Sequence, residues 1–256
     1  MSGKFAEPAR VVSQVSLSDE VRRLTLAAPG TAAALRPGQF VHLKIADSYE
    51  PLLRRPFSVT AADPAAGTLE IIYRIVGKGT GLMAAMTAGD GVNCLGPLGN
   101  GFTPQGQRPL LVGGGMGLAP LLMLAGALCP RPVTVLMGGR DHRELFWTDL
   151  FAGVCHNTHI TTDDGSMGRQ GLTVDLLPEL LAQNHFDMIY SCGPQPMLAA
   201  VARIAALRQI PCQVSLEDYM ACGLGACLSC TCAGTDGKRR KVCTDGPVFW
   251  AGEVLA

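Results

Sequence analysis

Through residues 1–103, apolar and polar positions alternate in short runs separated by glycine, proline and aspartate. "VVSQVSLS", "VRRLTLAA", "QFVHLKIA", "RPFSVTAA" and "TLEIIYRIV" are rich in β-branched residues or alternate with period two, and "LRPG" and "ADPAAG" lie between them. Short strands spaced by turn signals predict an antiparallel β-barrel here. From about residue 108 the rhythm changes. The apolar run "RPLLVGGG" leads into the helical stretch "LAPLLMLAGAL". It is followed by "PVTVLMG", "HRELFWTDLF", "THITTDD", "LTVDLLPELLA", "FDMIYSCG" and "PQPMLAAVARIAALR". Strand and helix alternate, which predicts a doubly wound α/β domain with a parallel sheet over residues 104–212. Residues 213–256 lose both periodicities and form a short segment rich in cysteine and glycine.

Composition narrows the class. The 256 residues are 48% hydrophobic and 16% charged, which suits a well-buried globular protein of two or three small domains. Lys plus Arg and Asp plus Glu balance at 21 each, so nothing in the charge attracts nucleic acid or an anionic membrane. The N-terminal "MSGKFAEPARVV" has no apolar core of a signal peptide, and no apolar run reaches about 18 residues. A cytoplasmic location is expected, without a membrane partner.

The ten cysteines are then not a disulfide framework, because the cytosol keeps thiols reduced. Cys94, Cys129, Cys155, Cys192 and Cys212 are scattered, whereas Cys222, Cys227, Cys230 and Cys243 crowd together. Their spacing, C-x4-C-x2-C with a more distant fourth cysteine, is that of plant-type [2Fe–2S] sites. Structural zinc more often presents paired C-x2-C knuckles. Gly223, Gly225 and Ala226 let a loop wrap closely, bringing backbone N–H groups to sulfur. Cys232, two residues past Cys230, is expected to be an adjacent thiol and not a ligand.

Further stretches carry candidate chemistry for two sites. In "RRPFSV", Arg55 can pair with a pyrophosphate and Ser58 can hydrogen-bond a flavin ring or phosphate. "IIYR" adds an aromatic face at Tyr73 and a cation at Arg74, and "GKGT" (77–80) offers backbone N–H groups for phosphate. "VGGGMGLAPL" is a glycine-rich strand-to-helix turn where a dinucleotide phosphate could sit, although it lacks the G-x-G-x-x-G spacing. "CGPQPM" (192–197) closes a later strand, at the strand end where α/β ligands bind. Asp163, Asp164 and Gly165 lie at another strand end and are read equally well as a solvated turn. No G-x-S-x-G is present, and His42, His142, His156, His159 and His185 show no metal spacing and are expected on the surface or in loops.

The order R-P-x-S, G-G-G-x-G, C-G-P-x-P-M resembles the ferredoxin–NADP reductase superfamily across most of the chain. With the tail M-x-C-G-x-G-x-C-x-x-C-x-C…V-C-x-D-G-P-V-F, the whole chain resembles the electron-transfer subunits of dihydroorotate dehydrogenase B. The resemblance implies an antiparallel β-barrel flavin domain, an α/β doubly wound nucleotide-binding domain and a short C-terminal [2Fe–2S] segment. It implies FAD contacts at Arg55, Pro56, Phe57 and Ser58, then at Ile72, Tyr73, Arg74, Gly79 and Thr80. The nicotinamide cofactor NAD would be lined by Gly113, Gly114, Gly115 and Gly117 with Cys192, Gly193 and Pro194. Cys222, Cys227, Cys230 and Cys243 would ligate the cluster.

The implied role is an oxidoreductase subunit in pyrimidine (UMP) biosynthesis. Electrons would pass from a catalytic, FMN-containing dihydroorotate dehydrogenase subunit through the cluster and FAD to NAD⁺, in a heterotetramer of two copies of each chain. Consistent with that division, no base beside a flavin is evident in this chain. The alternative is the small subunit of an NADH-dependent reduced ferredoxin:NADP⁺ oxidoreductase, similar in all three parts but typically carrying aspartate as its first cluster ligand. Position 222 is cysteine.

Overall fold

Period-two alternation becomes antiparallel pairing in the first part of the chain. The computed structural model describes residues 5–46 and 49–255. Strands β1 (Phe5–Ser16), β2 (Val21–Ala27), β3 (Phe40–Lys44), β4 (Arg55–Ser58), β5 (Ala61–Asp63), β6 (Thr68–Arg74) and β7 (Gly91–Leu98) form one sheet. Its order is β4-β3-β7-β1-β2-β6-β5, antiparallel throughout. β4 also approaches β6, so the two halves of the sheet curl toward each other. Short helices α1 (Pro29–Ala34) and α2 (Lys78–Ala84) punctuate it. Inward residues such as Leu24, Leu26, Val41, Leu43, Leu69 and Ile71 are fully enclosed, the apolar burial that drives closure.

From Phe102 the strands are parallel. They are β8 (Pro109–Gly114), β9 (Thr134–Gly139), β10 (Asn157–Thr162), β11 (Arg169–Gln170), β12 (Met188–Cys192) and β13 (Cys212–Ser215). Helices α3 (Leu118–Leu128), α4 (Trp147–Ala152), α5 (Thr173–Gln183) and α6 (Gln195–Leu207) alternate with them. A hairpin of β14 (Thr231–Ala233) and β15 (Arg239–Lys241) follows, then β16 (Val248–Trp250), antiparallel to β13, and α7 (Ala251–Val254). The sheet order β11-β10-β9-β8-β12-β13-β16 reverses direction between β8 and β12. That switch point opens a crevice at the strands' carboxyl ends. β8, β9 and β12 read as continuous apolar runs because both of their faces are covered.

By its contacts the chain divides into two compact units. One contains the chain up to Gly101, together with Glu217–Thr231 and Lys241–Pro247. The other contains Phe102–Leu216, Cys232–Arg240 and the chain from Val248. Within the first unit, Asn100 joins the late stretch to the sheet. Its N–H donates to Gly246 O (2.6 Å), and its side-chain amide donates to Asp245 O (2.9 Å).

Candidate functional site

Strand β4 carries R-P-F-S and pairs with β3, placing Leu43 opposite Arg55, His42 opposite Pro56 and Val41 opposite Phe57. The Phe57 ring meets Tyr73 of β6 edge-on, with centroids 5.8 Å apart and 64° between planes. Arg55 reaches Gly79 in α2: a Cβ at residue 79 would stand 3.1 Å from Arg55 Nε. The Arg55 guanidinium donates to the carbonyls of Leu53 and Arg54, and no carboxylate pairs with it among the described residues. A cation beside a side-chain-free stretch of backbone, next to an edge-packed aromatic pair, suits a flavin bearing a pyrophosphate.

The other expected contacts divide into exposed and supporting groups. Pro56 is exposed, and Phe57, Ser58 and Arg74 are half-buried. Ile72 is buried, and Tyr73 is only 2% exposed. Its hydroxyl donates to Gln14 Oε1 (2.8 Å), and burial pushes its pKa up to about 12. Gln14 in turn donates to the carbonyls of Met83, Ala84 and Met86. Tyr73 therefore braces Phe57 and does not offer an open face. One expectation is corrected. The Gly77 N–H is not free for phosphate, because the Thr80 hydroxyl accepts from both Val76 N–H (2.9 Å) and Gly77 N–H (3.1 Å), capping α2.

The four clustered cysteines all belong to the first unit, whereas Cys232 lies in the second. Gly223 (φ +69°) and Gly225 (φ +80°) turn the loop through left-handed conformations that glycine adopts without strain. Leu228 does the same at φ +62°, which costs a leucine about 1–2 kcal/mol. The N–H groups of Leu224 and Cys227 both point at Cys222 Sγ, at 3.4 Å. The Cys227 thiol interacts with Cys222, and the Cys243 thiol with Cys230 first and with Cys222 more weakly. The Ser229 hydroxyl, first among several hydrogen bonds, draws the Cys227 thiol down to about 6. Burial, then the neighbouring Cys230, pushes Cys243 up to about 11. Two adjacent enclosed sulfurs can both be thiolates only if cations lie between them. Among the described residues no three His, Cys, Asp or Glu side chains converge as one metal ion would require. Paired thiolates with N–H groups aimed at sulfur fit a binuclear cluster.

The crevice of the second sheet has a different chemistry. β8 runs through Gly113 and Gly114 into a 3₁₀ turn, Gly115–Gly117, at the head of α3. Gly117 packs against the chain after β12: a Cβ there would lie 2.5 Å from Cys192 O and 2.6 Å from Gly193 N. Gly193 (φ +158°) likewise lies 3.1 Å, by its would-be Cβ, from Gly114 N. A cleft of about 420 Å³ opens beside them, lined by Gly114, Gly115, Gly138, Glu144, Pro194 and Met197 among others. Asp163 lines it and Asp164 does not. Arg140 and Glu144 form an ion pair (2.6 Å) at its edge. The cleft, of small-ligand size, touches both expected turns, through Gly114 and Gly115 of one and Pro194 of the other, while Gly113, Gly117, Cys192 and Gly193 are not among its lining residues.

Sequence reasoning missed His42. Expected on the surface or in a loop, it lies in β3 and is fully enclosed. The alternation in "QFVHLK" holds the signal, since His42 stands two residues from Phe40, whose ring lies 5.6 Å away.

Fold and site together define a flavin- and iron–sulfur-binding oxidoreductase of the ferredoxin–NADP reductase type. Residues 8–102 match the family described as "Oxidoreductase FAD-binding domain". Residues 217–255 match "Iron-sulfur cluster binding domain of dihydroorotate dehydrogenase B". The dihydroorotate dehydrogenase B (NAD⁺) electron transfer subunit of Bacillus caldolyticus is 45% identical, over 97% of this chain and 98% of its own length. That of Caldanaerobacter subterraneus is 41% identical, over 96% and 97%. Among solved structures, one of an NADH-dependent reduced ferredoxin-NADP oxidoreductase superposes with a TM-score of 0.87 at 30% identity, covering 99% of this chain and 91% of that one. A ferredoxin NADP⁺ reductase from Neisseria gonorrhoeae shares the fold, with a TM-score of 0.67 at 19% identity over 78% and 90%. The chain belongs to the family of dihydroorotate dehydrogenase B (NAD⁺) electron transfer subunits.

Proposed function

We propose that this chain carries electrons between a dihydroorotate-oxidising, FMN-containing partner and NAD⁺, supporting pyrimidine synthesis in the cytoplasm. The observation that carries the reading lies inside the first unit. The cysteine loop packs at Gly223 against His42, and His42 pairs across the sheet with Pro56 of the flavin segment. One strand, β3, therefore touches the cluster loop through His42 and pairs with R-P-F-S along its edge.

Arg55 holds the FAD pyrophosphate, Phe57 braced by Tyr73 shapes the ring site, and Cys222, Cys227, Cys230 and Cys243 hold the [2Fe–2S] cluster. The turns Gly113–Gly117 and Cys192–Pro194 orient the nicotinamide cofactor. Held by these residues, FAD would supply hydride exchange with NAD(H) and one-electron exchange with the cluster, and the protein supplies orientation and electrostatics. In the same stretch of chain as the exposed Cys227, the apolar side chains of Tyr219 (90%), Leu224 (47%) and Leu228 (61%) are exposed. They support docking of a partner at the cluster, within a heterotetramer of two copies of each chain.

The isolated holoprotein should oxidise NADH with an artificial acceptor and show no dihydroorotate oxidation. Adding an FMN-containing dihydroorotate-oxidising subunit should produce NAD⁺-dependent turnover. Dihydroorotate turnover by this chain alone would overturn the reading. Ferredoxin-linked NADP⁺ reduction with no response to that partner would favour the other family.

A further inference from the structure

Among the described residues, neither ring nitrogen of the fully enclosed His42 has a hydrogen-bond partner. An orphaned buried donor is costly, and folds retain one chiefly where something other than the polypeptide satisfies it. The β3–β7 register shifts beside this ring: between Phe40 and His42, strand β7 carries one residue more than β3, an irregularity of the kind found next to functional sites. The ring edge then meets the cluster loop. A Cβ on Gly223 would stand 2.9 Å from His42 Cε1 and 3.0 Å from Nδ1, so only a glycine in this conformation lets the loop settle there. Gly223 immediately follows Cys222. Burial, then the charge of Arg54, lowers the His42 pKa to about 4, so the ring is neutral near pH 7 and keeps one N–H to donate.

The geometry points to His42 as a positioning residue of the cluster: its imidazole N–H donates to a sulfur on the Cys222 side of the site and raises the cluster's reduction potential. The inference rests on the cluster occupying the four-cysteine loop. The physical reason is charge. The reduced cluster is more negative than the oxidised one, so a donor at sulfur stabilises the reduced form more. With no proton to transfer, the residue acts on how electrons divide between cluster and flavin, without touching the hydride chemistry.

The test uses the full chain loaded with FAD and cluster, after iron, acid-labile sulfide and flavin have been measured. EPR-monitored redox titration of His42→Phe should show the cluster potential shifted to more negative values. The expected size is about tenfold in the electron-sharing equilibrium, or about 59 mV for one electron. His42→Gln, which keeps an N–H donor, should recover most of the shift. Pulsed EPR of the reduced wild-type protein carrying ring-¹⁵N histidine should show a ¹⁵N coupling that His42→Gln abolishes. An intact cluster whose potential is unmoved in His42→Phe, or a labelled wild type without that coupling, overturns the inference alone. If His42→Phe assembles no cluster, the labelled wild type decides. A wild-type chain that binds no iron–sulfur cluster overturns the underlying reading and this inference with it.

Discussion

The side chain of Arg55 lies against the backbone of Gly79, so closely that a Cβ at residue 79 would stand 3.1 Å from Arg55 Nε. Charge-assisted hydrogen bonds of the kind Arg55 would make to phosphate are each worth about 1.5–3 kcal/mol. Arg55→Ala should therefore weaken FAD binding on the order of 10- to 100-fold while cluster content holds, as read by flavin fluorescence titration and iron analysis. Arg54→Ala provides the contrast. Arg54 donates to Asn93 O (2.9 Å) and His42 O (3.3 Å), so its loss should lower the melting temperature more than the flavin affinity. An unchanged FAD dissociation constant in Arg55→Ala would remove it from the site.

Single serine replacements of Cys222, Cys227, Cys230 and Cys243 should each reduce iron and acid-labile sulfide sharply. Cys232→Ser should leave both near wild type, since Cys232 belongs to the other unit. Full cluster content in Cys243→Ser, or loss confined to Cys232→Ser, would contradict the assignment.

Gly117 has no room for a methyl group, because Cys192 O lies 2.5 Å from where it would stand. Gly117→Ala should force the two turns of the crevice apart, at a cost of about 1–3 kcal/mol. The KM for NADH should rise, with FAD and cluster content intact. Wild-type NADH kinetics in a folded Gly117→Ala protein would show that these turns do not form the nicotinamide site.

Asp187 predicts an acid-dependent stability. Burial raises its pKa, but the N–H groups of Gln107 (2.6 Å) and Arg108 (2.9 Å) outweigh that and hold it below the ordinary value. A carboxylate with a depressed folded pKa stabilises above the unfolded value of about 3.9 and loses that contribution as pH falls through the folded one. Asp187→Asn should lower the melting temperature slightly at pH 7, since solvent screens this partly exposed carboxylate, and the gap to wild type should narrow as pH falls below about 3.9. A gap independent of pH would mean that the charge of Asp187 plays no part.

Legibility followed periodicity. β2, β3 and β6, and the alternation of β8 to α6, were readable because apolar spacing there matches strand or helix. β7, "GVNCLGPL", was not, since its glycines, asparagine and proline have low strand propensity. It pairs with β1 and β3 and buries Val92, Cys94 and Leu98 in the core. "RPFSVTAA" reads as one strand but divides into β4 and β5, and Thr60 N–H between them turns to Glu70 O (2.9 Å). At the site, cysteine spacing named the four thiols, while their pairing depends on the three-dimensional turn at Gly223 and Gly225. His42 is missed when histidines are weighed by metal spacing, whereas its signal lies in its place within the apolar strand "QFVHLK".

The first unit is not contiguous in sequence: Glu217–Thr231 and Lys241–Pro247 return to it after the whole parallel sheet has intervened. Phe40, His42 and Leu98 meet these late stretches at Gly223 and, through Gly99, at Pro247. During synthesis the flavin unit therefore waits, with one face uncovered, until the ribosome has passed residue 247. A chain halted at residue 216 would lack the four thiols and would also leave that apolar face open to water and to other nascent chains. The metal-binding stretch is thus the closing piece of the earliest-made unit, and it cannot be cut away or transplanted as a free-standing electron carrier.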